Sequence, residues 1–80
     1  MQRMPTQREV ERIRARYKIG SRIRLIRMDD CQAPPPGTLG TIIDIDDVGD
    51  LIVAWDNGSG LKAIPNVDDF EIITNDSGRR

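Results

Sequence analysis

The 80-residue chain has no histidine, a single cysteine and only three aromatic residues, Tyr17, Trp55 and Phe70. Without histidine it lacks the usual general base near neutral pH and the commonest zinc ligand. One cysteine excludes an intramolecular disulfide and a multi-cysteine zinc site, and Cys31, with no partner base, reads as an ordinary loop thiol. Three aromatics are few for a methyl-lysine cage, which needs several rings around one pocket. No apolar run is long enough to span a bilayer and no signal-peptide pattern is present, so the expectation is a cytoplasmic protein with no membrane partner. The carboxylate pairs Asp29 with Asp30, Asp46 with Asp47 and Asp68 with Asp69 lack the alternating spacing of a calcium loop and read as solvated turn residues. The chain is therefore expected to hold no metal and no cofactor, and not to be an enzyme.

What is present is a small, charge-divided domain. Eighty residues leave room for one core. The net charge of −1 conceals two opposed segments. Residues 1–28 carry nine basic side chains against Glu9 and Glu11, a net of +7, and residues 29–76 carry eleven acidic side chains against Lys62, a net of −10. Such a division marks either an interaction arm or internal charge pairing.

Residues 34–58 organise the rest. Apolar, β-branched runs at 38–45 and 51–55 flank D-D-V-G-D, which supplies turn residues for a hairpin. Upstream, T-Q-R-E from Thr6 to Glu9 has the spacing of a capping box, and Val10, Ile13 and Tyr17 fall on one helical face. A short amphipathic helix over 7–17 is predicted, with Gly20 turning the chain into a first strand at 22–28. Ile23 and Leu25 alternate with Arg22 and Arg24 there, and Ile26 breaks the alternation, which predicts a bulge near residue 26. Pro34, Pro35 and Pro36 form a stiff connector. A second strand spans 39–45, with Gly40 read as a site of bending or close packing. The third, 51–55, places Leu51, Val53 and Trp55 on one face. A short fourth strand is expected at 61–64, ended by Pro65, and a fifth at 70–73. The predicted fold is mainly β: a small five-stranded SH3-like barrel at 20–74, preceded by a tail and basic helix at 1–19 and followed by a flexible tail at 75–80. A three-stranded sheet packed only by the helix is the structural alternative.

The strings G-S-R-I-R-L-I-R-M-D-D, A-P-P-P-G-T-L-G-T-I, V-A-W-D-N-G and I-P-N-V-D-D-F-E-I-I, in that order, resemble an uncharacterised family of small SH3-like barrels of Gram-positive bacteria and their phages and mobile elements (domain of unknown function, family 4314). The resemblance implies a fold and brings no established activity or site. Cys31 departs from the family, where proline is usual, which argues against a shared role for this thiol. The reading for function is a non-enzymatic interaction module with an unknown protein partner, associated with phages or mobile elements. By analogy with SH3-like folds, its surface is expected between the D-D-C-Q-A-P-P-P-G loop and the W-D-N-G-S-G turn and to include Asp29, Asp30, Pro35, Pro36, Trp55, Asp56 and Asn57. Trp55 fits the core pattern as well, and core support is preferred to ligand contact. The alternative is weak nucleic-acid binding through Arg8, Arg12, Arg16, Arg22, Arg24 and Arg27, which the acidic remainder opposes.

Overall fold

A computed structural model describes residues 6–73. The expected tails at 1–5 and 75–80 lie outside the described residues. Helix α1 spans Gln7–Arg16 and begins with the reciprocal cap predicted from T-Q-R-E. The Glu9 amide donates to Thr6 Oγ1 at 3.1 Å, and the Thr6 amide donates to Glu9 Oε1 at 2.8 Å. These bonds satisfy two amides that a helix start otherwise leaves orphaned. At Tyr17 the backbone becomes extended, and its amide still reaches the Ile13 carbonyl at 2.8 Å.

Four strands form one antiparallel sheet: β1 (Arg22–Arg27), β2 (Leu39–Ile45), β3 (Leu51–Trp55) and β4 (Asp69–Ile73), ordered β3-β2-β1-β4. The described residues are thus mainly β with one short helix. The strand expected at 61–64 contracts to a single bridge between Ala63 and Leu51. Local hydrogen bonding explains the contraction. The Ile64 amide donates to the Asp68 carboxylate at 2.9 Å, and the Ile64 carbonyl accepts the amides of Val67 and Asp68. Pro65 has no N–H to extend a ladder. Among the described residues no ladder joins β3 to β4, so the sheet is unclosed.

Two bulges shape it. The register shifts between Leu25 and Arg27, where the broken alternation predicted it, and again between Ile42 and Asp44, where no break was anticipated. An extra residue exchanges the two faces of a strand. Gly40 and Ile42 are buried by period two, and Ile45 is buried three positions later because the bulge intervenes. The same distortions leave Ile26 and Ile43 about half exposed, at 50% and 52%.

The core comprises Ile23, Leu25, Ile42, Ile45, Leu51, Val53, Trp55 and Ala63, with Ile13, Tyr17, Met28 and Phe70 packed against it. Gly40 lets β2 approach β3's side chains closely: a Cβ there would stand 2.6 Å from Val53 Cγ1 and 2.7 Å from Trp55 Cε3. Helix α1 rests on the turn between β2 and β3. Gly49, at φ 86°, lies beneath Ile13, whose Cδ1 would be 2.8 Å from an added Cβ, and Arg14 Nη2 donates to the Asp46 carbonyl at 3.2 Å. Glycine serves that turn twice, through its left-handed backbone and through its missing side chain.

Candidate functional site

Both loops of the expected surface gather at one end of the sheet, where β2 begins. The Gly37 amide donates to the Leu25 carbonyl at 2.7 Å, and the Asp56 amide to the Leu39 carbonyl at 2.8 Å. Their polar groups, however, largely hold the loops themselves. Asp30 Oδ1 accepts the Gln32 amide, the Pro35 carbonyl accepts the amide and hydroxyl of Thr38, and Asn57 Oδ1 accepts the Ser59 amide. Asp29, Pro35 and Pro36 are exposed, whereas Pro34 is buried. Trp55 corrects the surface assignment. Its ring is 3% exposed within the core, and its indole N–H donates to the Leu61 carbonyl at 2.8 Å. Period two along β3 and the space above Gly40 place it inside.

The basic residues separate into two groups. Arg22 grips Asp56 with both terminal nitrogens, at 2.9 and 2.6 Å, and also donates to Thr41 Oγ1 at 2.8 Å. Arg22 and Asp56, expected on different surfaces, are therefore partners. The fork holds the Asp56 carboxyl below the usual carboxylate range and raises the Arg22 guanidinium, through a two-pronged charge-assisted bond. Arg24 pairs with Glu71 across β1 and β4 at 2.7 Å. Arg22 and Arg24 are thus paired with carboxylates of neighbouring segments. Arg8, Arg12, Arg16 and Arg27 are exposed, and Arg16 lies 5.5 Å above the Tyr17 ring centroid.

A buried-edge carboxylate anchors the turn under α1. Asp46 Oδ1 accepts the amides of Val48 and Asp50, at 3.1 and 2.9 Å, and Oδ2 accepts Lys62 Nζ at 2.9 Å. Partial burial pushes this carboxyl up, but the Lys62 bond and the two amides together carry it below its ordinary value. Asp50 moves the other way, raised by burial and by the Asp46 charge. The Lys62 ammonium is raised by its bond to Asp46. Among the described residues, no group of three or more histidine, cysteine or acidic side chains gathers to hold a metal. No helix among them is long and apolar enough to cross a membrane.

Three adjoining concavities run along the seam between α1 and the 64–70 segment, and each is lined by Pro65 and Asn66. The first, about 230 Å³, lies over the turn beside Ile13 and Gly49. The second, about 190 Å³, is walled by Arg12 and Arg16 and floored by Ile13, Tyr17 and Pro65. The third continues past Tyr17 to Ile26, Phe70, Asp68 and Asp69. The third holds about 350 Å³. Tyr17 and Phe70 meet at 5.6 Å with a 56° tilt and form an aromatic wall. Asn66 has φ 72°, the only positive value outside glycine among the described residues. Asparagine tolerates this region better than most residues. Val67 and Ile64, on the rim, are 70% and 37% exposed. In the sequence, Ile13 and Tyr17 read as part of a packing face with Val10, and no motif marks Pro65 or Asn66 as part of a site. The available signal was the Pro65 and Asn66 pair, a fixed φ followed by a residue tolerant of left-handed backbone, facing an arginine-bearing helix.

One family profile, described as Domain of unknown function (DUF4314), matches residues 6–73. No curated protein and no solved structure matches the chain.

Proposed function

This chain belongs to the DUF4314 family, and from that premise we propose that it is a non-enzymatic interaction module that binds a protein partner. The observation that carries this reading is the seam beside α1. It combines an apolar floor, an aromatic wall, exposed Ile64 and Val67 and a left-handed Asn66 along three adjoining concavities. Exposed apolar groups rimmed by charged ones mark interaction surfaces. The loop surface of Asp29, Asp30, Pro35, Pro36, Asp56 and Asn57 is a second contact area of the same module, with Trp55 supporting it from the core. The fold is read as an SH3-like barrel. Support comes from the bridge at Ala63, which extends the outer edge of β3, after which the chain returns to pair β4 with β1. Association with phages or mobile elements and a cytoplasmic location rest on the family resemblance and the sequence composition alone.

The nucleic-acid alternative is favoured by exposed Arg8, Arg12 and Arg16 on α1 and opposed by the engagement of Arg22 and Arg24 with Asp56 and Glu71. Phosphate binding needs several free basic groups on one face, and each contact adds to the salt dependence. Two experiments on the full chain decide between the readings. One selects a displayed random-peptide library on the immobilised protein; the other follows DNA and RNA oligonucleotides by fluorescence anisotropy at low and physiological salt. Sequence-related peptides with only weak, salt-sensitive oligonucleotide binding are expected. Submicromolar oligonucleotide binding that survives physiological salt, with no peptide enriched, overturns the proposal.

A further inference from the structure

We infer that the middle of the seam, where Arg12 and Arg16 face Asn66 across a floor of Ile13, Tyr17 and Pro65, is a receptor for an acidic peptide segment carrying an apolar side chain beside its carboxylate. The inference rests on the protein-binding reading and names the chemistry of the partner.

Charge complementarity selects that occupant. Arg12 and Arg16 stand one helical turn apart on the wall, and no ion pair to a carboxylate engages either among the described residues. Glu9 also lines this stretch, its Oε1 held by the Thr6 amide in the helix cap, so the two arginines against one carboxylate leave the lining with a net charge of +1. Arg16 is already oriented by the Tyr17 ring beneath it, at 5.5 Å. A guanidinium placed against an aromatic face loses less freedom when it meets a carboxylate, and its fork matches carboxylate geometry. The floor takes an aliphatic side chain: Ile13, Tyr17 and Pro65 are each half-buried and present apolar surface. Acid and apolar group together make one segment.

The ends of the seam limit its partner. Beyond Tyr17 the lining becomes acidic at Asp68 and Asp69. Near the turn stands Asp50, whose raised carboxyl titrates above its ordinary value. A phosphate backbone, with its charges repeated along the strand, would meet these carboxylates on either side of two arginines. A short peptide that places its carboxylates between them would not.

The test uses the full chain and a defined probe: a short, end-capped peptide in which glutamate alternates with leucine. Controls are the same peptide with glutamine for glutamate, one with serine for leucine, and a single-stranded DNA oligonucleotide. Amide shifts followed by NMR detect even millimolar binding. The expected result is saturable shifts in α1 and residues 64–67, and at least about tenfold weaker binding for either control peptide. Arg12→Gln combined with Arg16→Gln should weaken the glutamate peptide by a similar factor and keep the dispersed spectrum of the fold, since both side chains are exposed. Equal binding by the double variant, or by the glutamine peptide, overturns the inference. Binding that maps to 29–37 and 56–58 instead overturns it and leaves the module reading standing. No peptide binding together with tight, salt-resistant oligonucleotide binding through Arg12 and Arg16 overturns both.

Discussion

Replacing Gly40 by alanine adds one methyl group at the tightest interior contact described for the sheet. The added Cβ would lie 2.6 Å from Val53 Cγ1, and 2.7 and 3.2 Å from Trp55 Cε3 and Cδ2. Carbon atoms pack optimally at about 3.5–4.0 Å, so the methyl group must displace its neighbours by nearly an ångström. Neither neighbour is a flexible chain end. Val53 is β-branched, and the Trp55 ring is held by the bond from its N–H to the Leu61 carbonyl. Overpacking of this kind costs roughly 1–3 kcal/mol. Alanine also reduces the freedom of the unfolded chain, which returns about 0.4–1 kcal/mol where the native backbone suits it. The net expectation is a loss of about 1–2 kcal/mol, a sizeable share of the total stability of a domain this small. Urea denaturation followed by tryptophan fluorescence and far-ultraviolet circular dichroism measures it. A thermodynamic cycle locates the cause. In a Trp55→Ala background two of the three close contacts vanish, so adding Gly40→Ala should cost less than it does alone, by at least about 0.5 kcal/mol. If Gly40→Ala proves neutral or stabilising, or the two changes are additive, the close-approach argument is wrong.

Trp55→Ala should itself cost about 3–5 kcal/mol, because it empties a fully buried site and orphans the Leu61 carbonyl; Trp55→Phe, keeping a ring but no N–H, should cost clearly less. A loss below about 1 kcal/mol for Trp55→Ala in denaturant melts would count against its core role. On acidification, the depressed carboxyls of Asp46 and Asp56 set the sign. Their contribution is fully present above the ordinary value of 3.8 and is lost as pH falls through their lower folded values, whereas the raised Asp50 carboxyl favours folding as pH drops from its raised value toward 3.8. Thermal melts between about pH 7 and about pH 3 should therefore show an acid loss that is shallower in Asp46→Asn, which keeps an oxygen for the Val48 and Asp50 amides but does not titrate. An equally steep loss in the variant would remove Asp46 from the account.

Much of the architecture is decided locally, and the chain therefore declares it. T-Q-R-E caps α1 because the four residues that make the cap are adjacent. The D-D-V-G-D turn forms between its own neighbours, with the Asp46 carboxylate and the left-handed Gly49 inside the same short segment. Period two along β3 buries Leu51, Val53 and Trp55, a regularity of the backbone itself. The family, too, is legible in the order of short motifs. Other features depend on what meets across the fold. Whether residues 61–64 make a strand or a single bridge turns on competition with the Asp68 carboxylate for the Ile64 amide. The bulge at Ile43 is seen only once Ile42 and Ile45 are both required inward by the sheet's partners. Arg22 and Arg24 read as a basic face along the chain, but Asp56 and Glu71, 34 and 47 residues away, neutralise them. The seam is the extreme case. Its arginines come from α1, its floor from Ile13, Tyr17 and Pro65, and its far wall from Asn66, and docking α1 on the turn at Gly49 brings them together. Nearest-neighbour chemistry settles caps, turns and face alternation, while ion pairing and concavity arise between segments that only the folded chain makes adjacent.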